Sequence, residues 1–353
     1  MNLAIIAITR NGARLGAQLK EAAEDADLFV AAKFADEAGT LARPFSGPLR
    51  DLVARLWQGY QGFVFIAATG IVVRMIAPHL AVKDKDPAVV VVDEAGRFAI
   101  SLLSGHLGGA NELAREVAEL LGGQAVITTA TDVNDLPSFD LLAQEEGWVI
   151  DDLGRVKSLN ALLLAGEEIA VVDPSGRVAA CFAGRGRLSF HVNFVTALRS
   201  GAAGFVFVTN RHLPPQVQDG NLLVLRPKNL VLGIGCNRGT AAEEIAEVVG
   251  AQLKHLFLSL RSVAAIGTAA AKREEAGLLA FAERHDIPLR FFASDELNAV
   301  AVPSPPSSHA MDAIGAVGVA EPAALLAAGS GRLLLKKVKS GNVTLAIAEK
   351  TEN

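Results

Sequence analysis

Residues 104 to 111 read SGHLGGAN, a histidine among glycines where the apolar run RFAISLL (97–103) gives way to a helix-like pattern. Glycines there let a ligand approach the backbone closely, and free N–H groups at the following helix start point outward, which suits a carboxylate or a phosphate. His106 titrates near neutral pH and is a candidate general acid or base, with Gly105, Gly108, Gly109 and Asn111 as ligand contacts. A purely structural reading uses the same residues for tight packing, with His106 capping a local carbonyl. VITTATDVND (126–135) ends a second strand in hydroxyls followed by acids. Thr131 is a further candidate contact there, and Asp132 either orients His106, activates water or caps a turn.

ATGIVVRMIAP (68–78) repeats the design of strand, tight turn and helix with Thr69, Gly70 and Arg74. Parallel strands aim such turns at a common crevice, so these residues are expected to join His106 at one site. Arg74 and Lys83, the latter in KDKDPAV, are suited to holding carboxylates, although a run such as Lys83–Lys85 taken alone reads as a solvated face. GIGCNRGT (233–240) imitates a nucleotide fingerprint, but its G-x-G-x-x-x-G spacing is one residue too long, and the strand VAAIG does not end in an acid for a ribose. No G-x-x-x-x-G-K-[ST] occurs, so nicotinamide and phosphate-loop chemistry are both disfavoured. What remains is an anion-receptive loop containing Gly235 and Arg238, with Thr240 as a helix cap. Cys236 is a candidate nucleophile or a small buried thiol. No His, Cys and carboxylate set has structural-metal spacing, and no metal site is expected.

The elements that must position these residues read as alternating α/β. The chain has 353 residues, 51% hydrophobic and 20% charged, enough for more than one core. Net charge is −5, with no global basic field for nucleic acid, and the longest uncharged apolar run, GFVFIAATGIVV, is too short to span a membrane. Two cysteines and no leader-like start fit a reduced, cytoplasmic setting. LAIIAIT begins a β-α unit, and Ser46 is placed to cap a helix with Pro48 in its first turn. AVVVVD and RFAISLL form a hairpin across EAG. The expected organisation is an N-terminal α/β domain over 1–135, a small α+β middle domain over 136–227, and a C-terminal α/β domain over 228–353. In the last, a helix is expected over 272–284, Ser294 caps the next, and the chain closes in a hairpin over 333–349. GRGRLSFHVN (184–193) reads as an exposed hairpin or a basic lip.

ATGIVVRMIAP, DPAVVVVDEAGRFAISLLSGHLGGANELA, VITTATD, LVLGIGCNRGT and VGVAEPAALLAAG, in this order, resemble the CbiG family, the cobalt-precorrin-5A hydrolases of anaerobic cobalamin biosynthesis. The likeness spans almost the whole chain and is weakest in the middle. It implies a reaction in which water opens the ring A acetate δ-lactone and the methylated meso carbon leaves as acetaldehyde, giving cobalt-precorrin-5B. Such chemistry needs a base for water, donors for a tetrahedral oxyanion, and groups that manage protons while a carbon–carbon bond breaks. His106 is the expected proton-transfer residue and Asp132 its orienter, with the N–H groups around Gly105, Gly108 and Gly109 as oxyanion or carboxylate receptors. Arg74, Lys83 and Arg238 would pair with the peripheral carboxylates of the macrocycle. Cobalt would arrive inside the tetrapyrrole substrate, so no separate cofactor is expected; neighbouring methyltransferases of the pathway and a second copy of the chain are candidate partners. The competing reading is a non-catalytic tetrapyrrole carrier of the same pathway.

Overall fold

The computed structural model describes residues 1–23, 25–81, 85–213, 221–329 and 331–351. Lys83 lies outside the described residues. The chain divides into two compact units, residues 1–141 and 142–353.

In the first unit, β1 (Leu3–Ala7), β2 (Asp27–Ala31), β3 (Ala42–Phe45), β4 (Gly62–Ile66), β5 (Ala88–Val92), β6 (Phe98–Leu103) and β7 (Gln124–Val126) build one sheet in the order β3-β2-β1-β4-β5-β6-β7. The first five strands are parallel. β6 pairs antiparallel with β5 through the expected hairpin, and β7 runs with β6. GFVFI and AVVVV are buried at every position because helices cover both faces. α1 (Arg10–Ala22) and α4 (Ala110–Leu121) pack Ala13, Leu19, Leu113 and Val117 against Ile5, Val64 and Val90. α2 (Leu49–Leu56) and α3 (Thr69–Ile76) set Leu52, Val53, Val72 and Ile76 against the alternate residues Ile6, Phe63, Phe65 and Val91. The short α5 (Ala130–Val133) and α6 (Phe139–Glu145) follow β7.

The second unit holds two five-stranded sheets. β8 (Val149–Ile150), α7 (Leu153–Leu164), β9 (Ile169–Val172), α8 (Arg177–Phe182), β10 (Leu188–Phe190), α9 (Phe194–Leu198), β11 (Gly204–Val208) and β12 (Leu222–Arg226) give the order β10-β9-β11-β12-β8, with only β8 antiparallel. Next come β13 (Leu230–Cys236), α10 (Ala242–His255), β14 (Val263–Ala269), α11 (Ala276–Arg284), β15 (Leu289–Phe292), α12 (Ser294–Asn298), α13 (Ser308–Ile314), α14 (Ala320–Ala328), β16 (Arg332–Ser340) and β17 (Val343–Glu349), in the order β15-β14-β13-β17-β16. Two glycines seat α14: a Cβ on Gly233 would stand 1.8 Å from the Ala320 carbonyl oxygen, and one on Gly267 2.3 Å from that of Ala323. The first glycine of GIGC therefore serves helix packing. No helix among the described residues is long and apolar enough to cross a membrane.

Local expectations change at several helix starts. Ser46 does not cap α2, because Gly47 at φ +95 intervenes and Pro48 holds the cap position. Thr240 donates its hydroxyl to the Asn237 carbonyl at 2.8 Å, leaving Ala241 as the α10 cap, and Ser294 lies inside α12 with its hydroxyl on the Ile314 carbonyl at 2.6 Å. α11 begins only at Ala276, after a single tight turn over Ala270–Lys272. GRGRLSFHVN is no hairpin: its strand, β10, runs parallel to β9.

Candidate active site

The glycine loop closes on itself. β6 ends at Leu103, and Ser104 adopts φ +59, a conformation that is uncommon outside glycine. Its hydroxyl donates to the Asp86 carbonyl at 2.9 Å, and its own carbonyl accepts the Ala110 N–H at 3.1 Å. A Cβ on Gly108 would stand 2.7 Å from that carbonyl oxygen, so only glycine fits there. Gly109, at φ +84, donates its N–H to the His106 carbonyl at 2.7 Å, and Asn111 donates its N–H to that of Gly105 at 3.0 Å. Gly109 is thereby removed from the expected set of oxyanion donors. Among the described residues no acceptor meets the N–H groups of Gly105, His106, Leu107 or Gly108.

This turn drives His106 inward to 5% exposure, between two carboxylates. Nε2 lies 3.1 Å from Asp132 Oδ2 and 3.0 Å from Thr131 Oγ1, while Nδ1 lies 3.5 Å from Asp140 Oδ2. Asp140 raises the imidazole above its ordinary value; burial works against this and Asp132 adds to it. Burial pushes Asp140 up, but the facing His106 outweighs it and holds the carboxyl below its ordinary value. Both carboxylates thus favour the charged form of His106, the expected proton-transfer residue, and hold its ring from either side.

Asp132 is tied down from three sides. Arg115 donates to Oδ1 at 2.7 Å, and Asn111 Nδ2 donates to Oδ2 at 3.0 Å beside His106. Asn111 is in turn fixed by Ser101, whose hydroxyl donates to Oδ1 at 2.7 Å, and it donates to Thr129 Oγ1 at 3.0 Å. A carboxylate offers about four lone-pair sites, so these donors leave one on Oδ1. The Asp132 side chain is 18% exposed against 5% for His106, making it the member of the pair that solvent reaches.

Sequence reasoning missed Asp140, Arg115, Ser101 and Thr129. Asp140 alone carried a signal, since it falls on the apolar face of α6 with Phe139 and Ala143 and is 3% exposed. An acid at the first turn of a helix has an ordinary capping role, which hid it.

Thr69, Gly70 and Arg74 are not at this site. Ile66 pairs with Val92 at the carboxyl edge of the parallel strands, whereas Leu103 pairs with Val89 at their amino edge. The two motif loops thus leave opposite edges of the sheet, about 10–13 Å apart along the strands. Arg74 is exposed and donates to the Gly70 carbonyl at 2.7 Å. Gly235, Arg238 and Thr240 belong to the second unit. Their loop already holds an anion of the chain itself: Gly239 N–H donates to Glu275 Oε1 at 2.6 Å, and Lys272 to its Oε2 at 3.0 Å. Arg238 stays exposed, Gly235 is half-buried and Thr240 is buried. Burial pushes the Cys236 thiol up, which suits a packed thiol rather than a nucleophile. Among the described residues no group of three or more His, Cys, Asp or Glu is arranged to hold a metal ion.

Residues 51–132 match the family model described as Cobalamin synthesis G N-terminal, 137–227 the Cobalamin biosynthesis central region, and 230–348 Cobalamin synthesis G C-terminus. A cobalt-precorrin-5A hydrolase of Priestia megaterium is 39% identical over 352 residues, covering 98% of this chain and 94% of that one. The cobalt-precorrin-5A hydrolase of Salmonella typhimurium is 33% identical over 308 residues, covering 86% of each. The crystal structure of a cobalamin biosynthesis protein G homolog from Sulfolobus solfataricus aligns over 99% of this chain and 97% of its own, at 24% identity and a TM-score of 0.36.

Proposed function

The chain belongs to the CbiG family, and from that premise we propose that it hydrolyses cobalt-precorrin-5A: water opens the ring A acetate δ-lactone, and the methylated meso carbon leaves as acetaldehyde to give cobalt-precorrin-5B. Near full-length identity to hydrolases supports a hydrolase of cobalamin biosynthesis over a non-catalytic carrier. Cobalt belongs to the substrate in this proposal, and the protein is assigned no cofactor of its own.

The observation that supports placing the chemistry in the first unit is the His106–Asp132 pair beside a run of unbonded N–H groups. Asp132 takes the proton of the attacking water at its remaining Oδ1 lone pair. The N–H groups of Gly105 and Gly108 receive the carbonyl oxygen as it becomes an oxyanion. Asp132 then returns its proton to the departing lactone oxygen, and accepts the proton of the resulting hydroxyl as the aldehyde C=O forms and the electron pair of the breaking carbon–carbon bond passes into the conjugated macrocycle. His106, held from its other side by Asp140, keeps Asp132 oriented through these transfers, so the roles expected from sequence are exchanged.

The test is anaerobic incubation with cobalt-precorrin-5A and trapping of acetaldehyde as a hydrazone. Asp132→Asn is expected to lower the rate by about 10²- to 10⁴-fold, the range for losing a general base. His106→Ala is expected to lower it as well. Undiminished release by both variants overturns the residue assignment; no release from the wild type overturns the reaction.

A further inference from the structure

The second unit contains a crevice that this chemistry does not use. β9 is followed in the chain by β10 on one side of it, and β11 returns to the other side, so the carboxyl ends of β9 and β11 flank a topological switch point. Open parallel sheets bind ligands at such points. A cavity of about 840 Å³ opens there, with Val172, Ser175, Asn193, Val208, Arg332 and Lys350 in its walls.

Its two sides differ in chemistry. Val192, 94% exposed, stands at the rim, flanked by exposed Phe190 and Val195, while the Phe194 ring is backed by Phe207 at 4.8 Å between centroids. Exposed apolar residues clustered around a cavity mark a contact surface more than scattered ones do. On the other side Arg332 pairs with Glu349 at 2.9 Å, and the same carboxylate accepts Asn210 Nδ2 at 2.8 Å. That acid is occupied, and Lys350 beside it has no acidic partner among the described residues. Burial, with Arg290 nearby, pushes the Lys350 ammonium down.

We propose that this crevice is a second binding site, which takes one edge of a polycarboxylate tetrapyrrole, the ring plane against Val192 and Phe194 and a peripheral carboxylate on Lys350. The ligand class rests on the function proposed above; the crevice itself does not. Val192 and Lys350 lie outside the core, so Val192→Asp and Lys350→Gln are made in the full chain without disturbing the fold.

Fluorescence titration with uroporphyrin, a flat octacarboxylate, reads binding directly, with a tetracationic porphyrin of similar size as the control. Lys350→Gln is expected to weaken uroporphyrin binding about tenfold, the effect of losing one charge-assisted contact, and Val192→Asp to weaken it by setting a carboxylate against the ring plane. Acetaldehyde release by the wild type with the uroporphyrin Kd unmoved by either variant overturns the crevice alone. Lys350-dependent uroporphyrin binding in a wild type that releases no acetaldehyde upholds the crevice and removes the hydrolase reading. Equal binding of the cationic porphyrin overturns the carboxylate assignment.

Discussion

His106 faces the charges of Asp132 and Asp140 directly and that of Arg115 through Asp132, and its response to pH follows from that company. Its value is raised above 6.5 in the folded protein, so its stabilising contribution is complete below 6.5 and is lost as pH rises through the raised value. Asp140 is lowered below 3.8, so its contribution is present above 3.8 and is lost as pH falls through the lowered value. The pair supports the first unit between those limits. Asp140→Asn leaves the buried imidazolium half-neutralised and is expected to cost about 3–5 kcal/mol at mildly acidic pH, with a shallower loss of stability toward alkaline pH than in the wild type. Urea unfolding from about pH 5 to about pH 9 measures both. Parallel curves for the two proteins would show that Asp140 does not hold the proton on His106. From sequence His106 and Asp132 were legible as partners because each follows a strand of the same domain. Their protonation was not, because Asp140 lies 34 positions beyond His106 and reaches it only through the turn into α6.

At the scale of elements, the direction of β6 decides which motifs meet. The apolar runs located β1, β4, β5, β6 and β7 of the first sheet but not β2 or β3, and the hairpin across EAG was readable from its turn. That hairpin already contained the reversal that sends the SGHLGGAN loop to the amino edge of β4 and β5, away from Thr69 and Arg74. Residue types advertise a loop's chemistry, whereas its edge depends on strand direction, which periodicity does not encode. The helix caps failed for a related reason: Thr240 and Ser294 have the right hydroxyls, but nearby carbonyls claim them. The loop's geometry, by contrast, rests on one glycine. Gly108→Ala puts a methyl group against the Ser104 carbonyl and is expected to destabilise the first unit by about 1–3 kcal/mol and to abolish acetaldehyde release, since Gly105 and His106 move with the loop. Wild-type unfolding and turnover in this variant would mean that the loop tolerates a different closure.

For the whole molecule, the question is what unfolds with what. The second unit contains two sheets, and Asp151 bridges them through side chains far apart in sequence. Arg226, 4% exposed at the end of β12, donates to Asp151 Oδ2 at 2.9 and 2.6 Å and to the Thr209 carbonyl at 3.0 Å. Arg261, just before β14, donates to the Asp151 carbonyl at 2.8 Å and to Oδ1 at 3.2 Å. This latch was not legible in the sequence, because DDLGR reads as an ordinary helix start and Arg226 precedes a proline where a linker is expected. Asp151→Ala strands the Arg226 guanidinium out of water, at an expected cost of about 3 kcal/mol, near the low end for a broken buried pair because Asp151 keeps some solvent. The two tryptophans divide the readout, Trp57 in the first unit and Trp148 in the second. With Trp57→Phe as background, Asp151→Ala should shift the Trp148 fluorescence transition in urea to lower concentration. With Trp148→Phe, the Trp57 transition should stay in place and respond instead to Asp140→Asn. Equal shifts of both signals by either substitution would mean that the units unfold as one, and that the His106 cluster draws its stability from the whole chain rather than from the sheet that carries it.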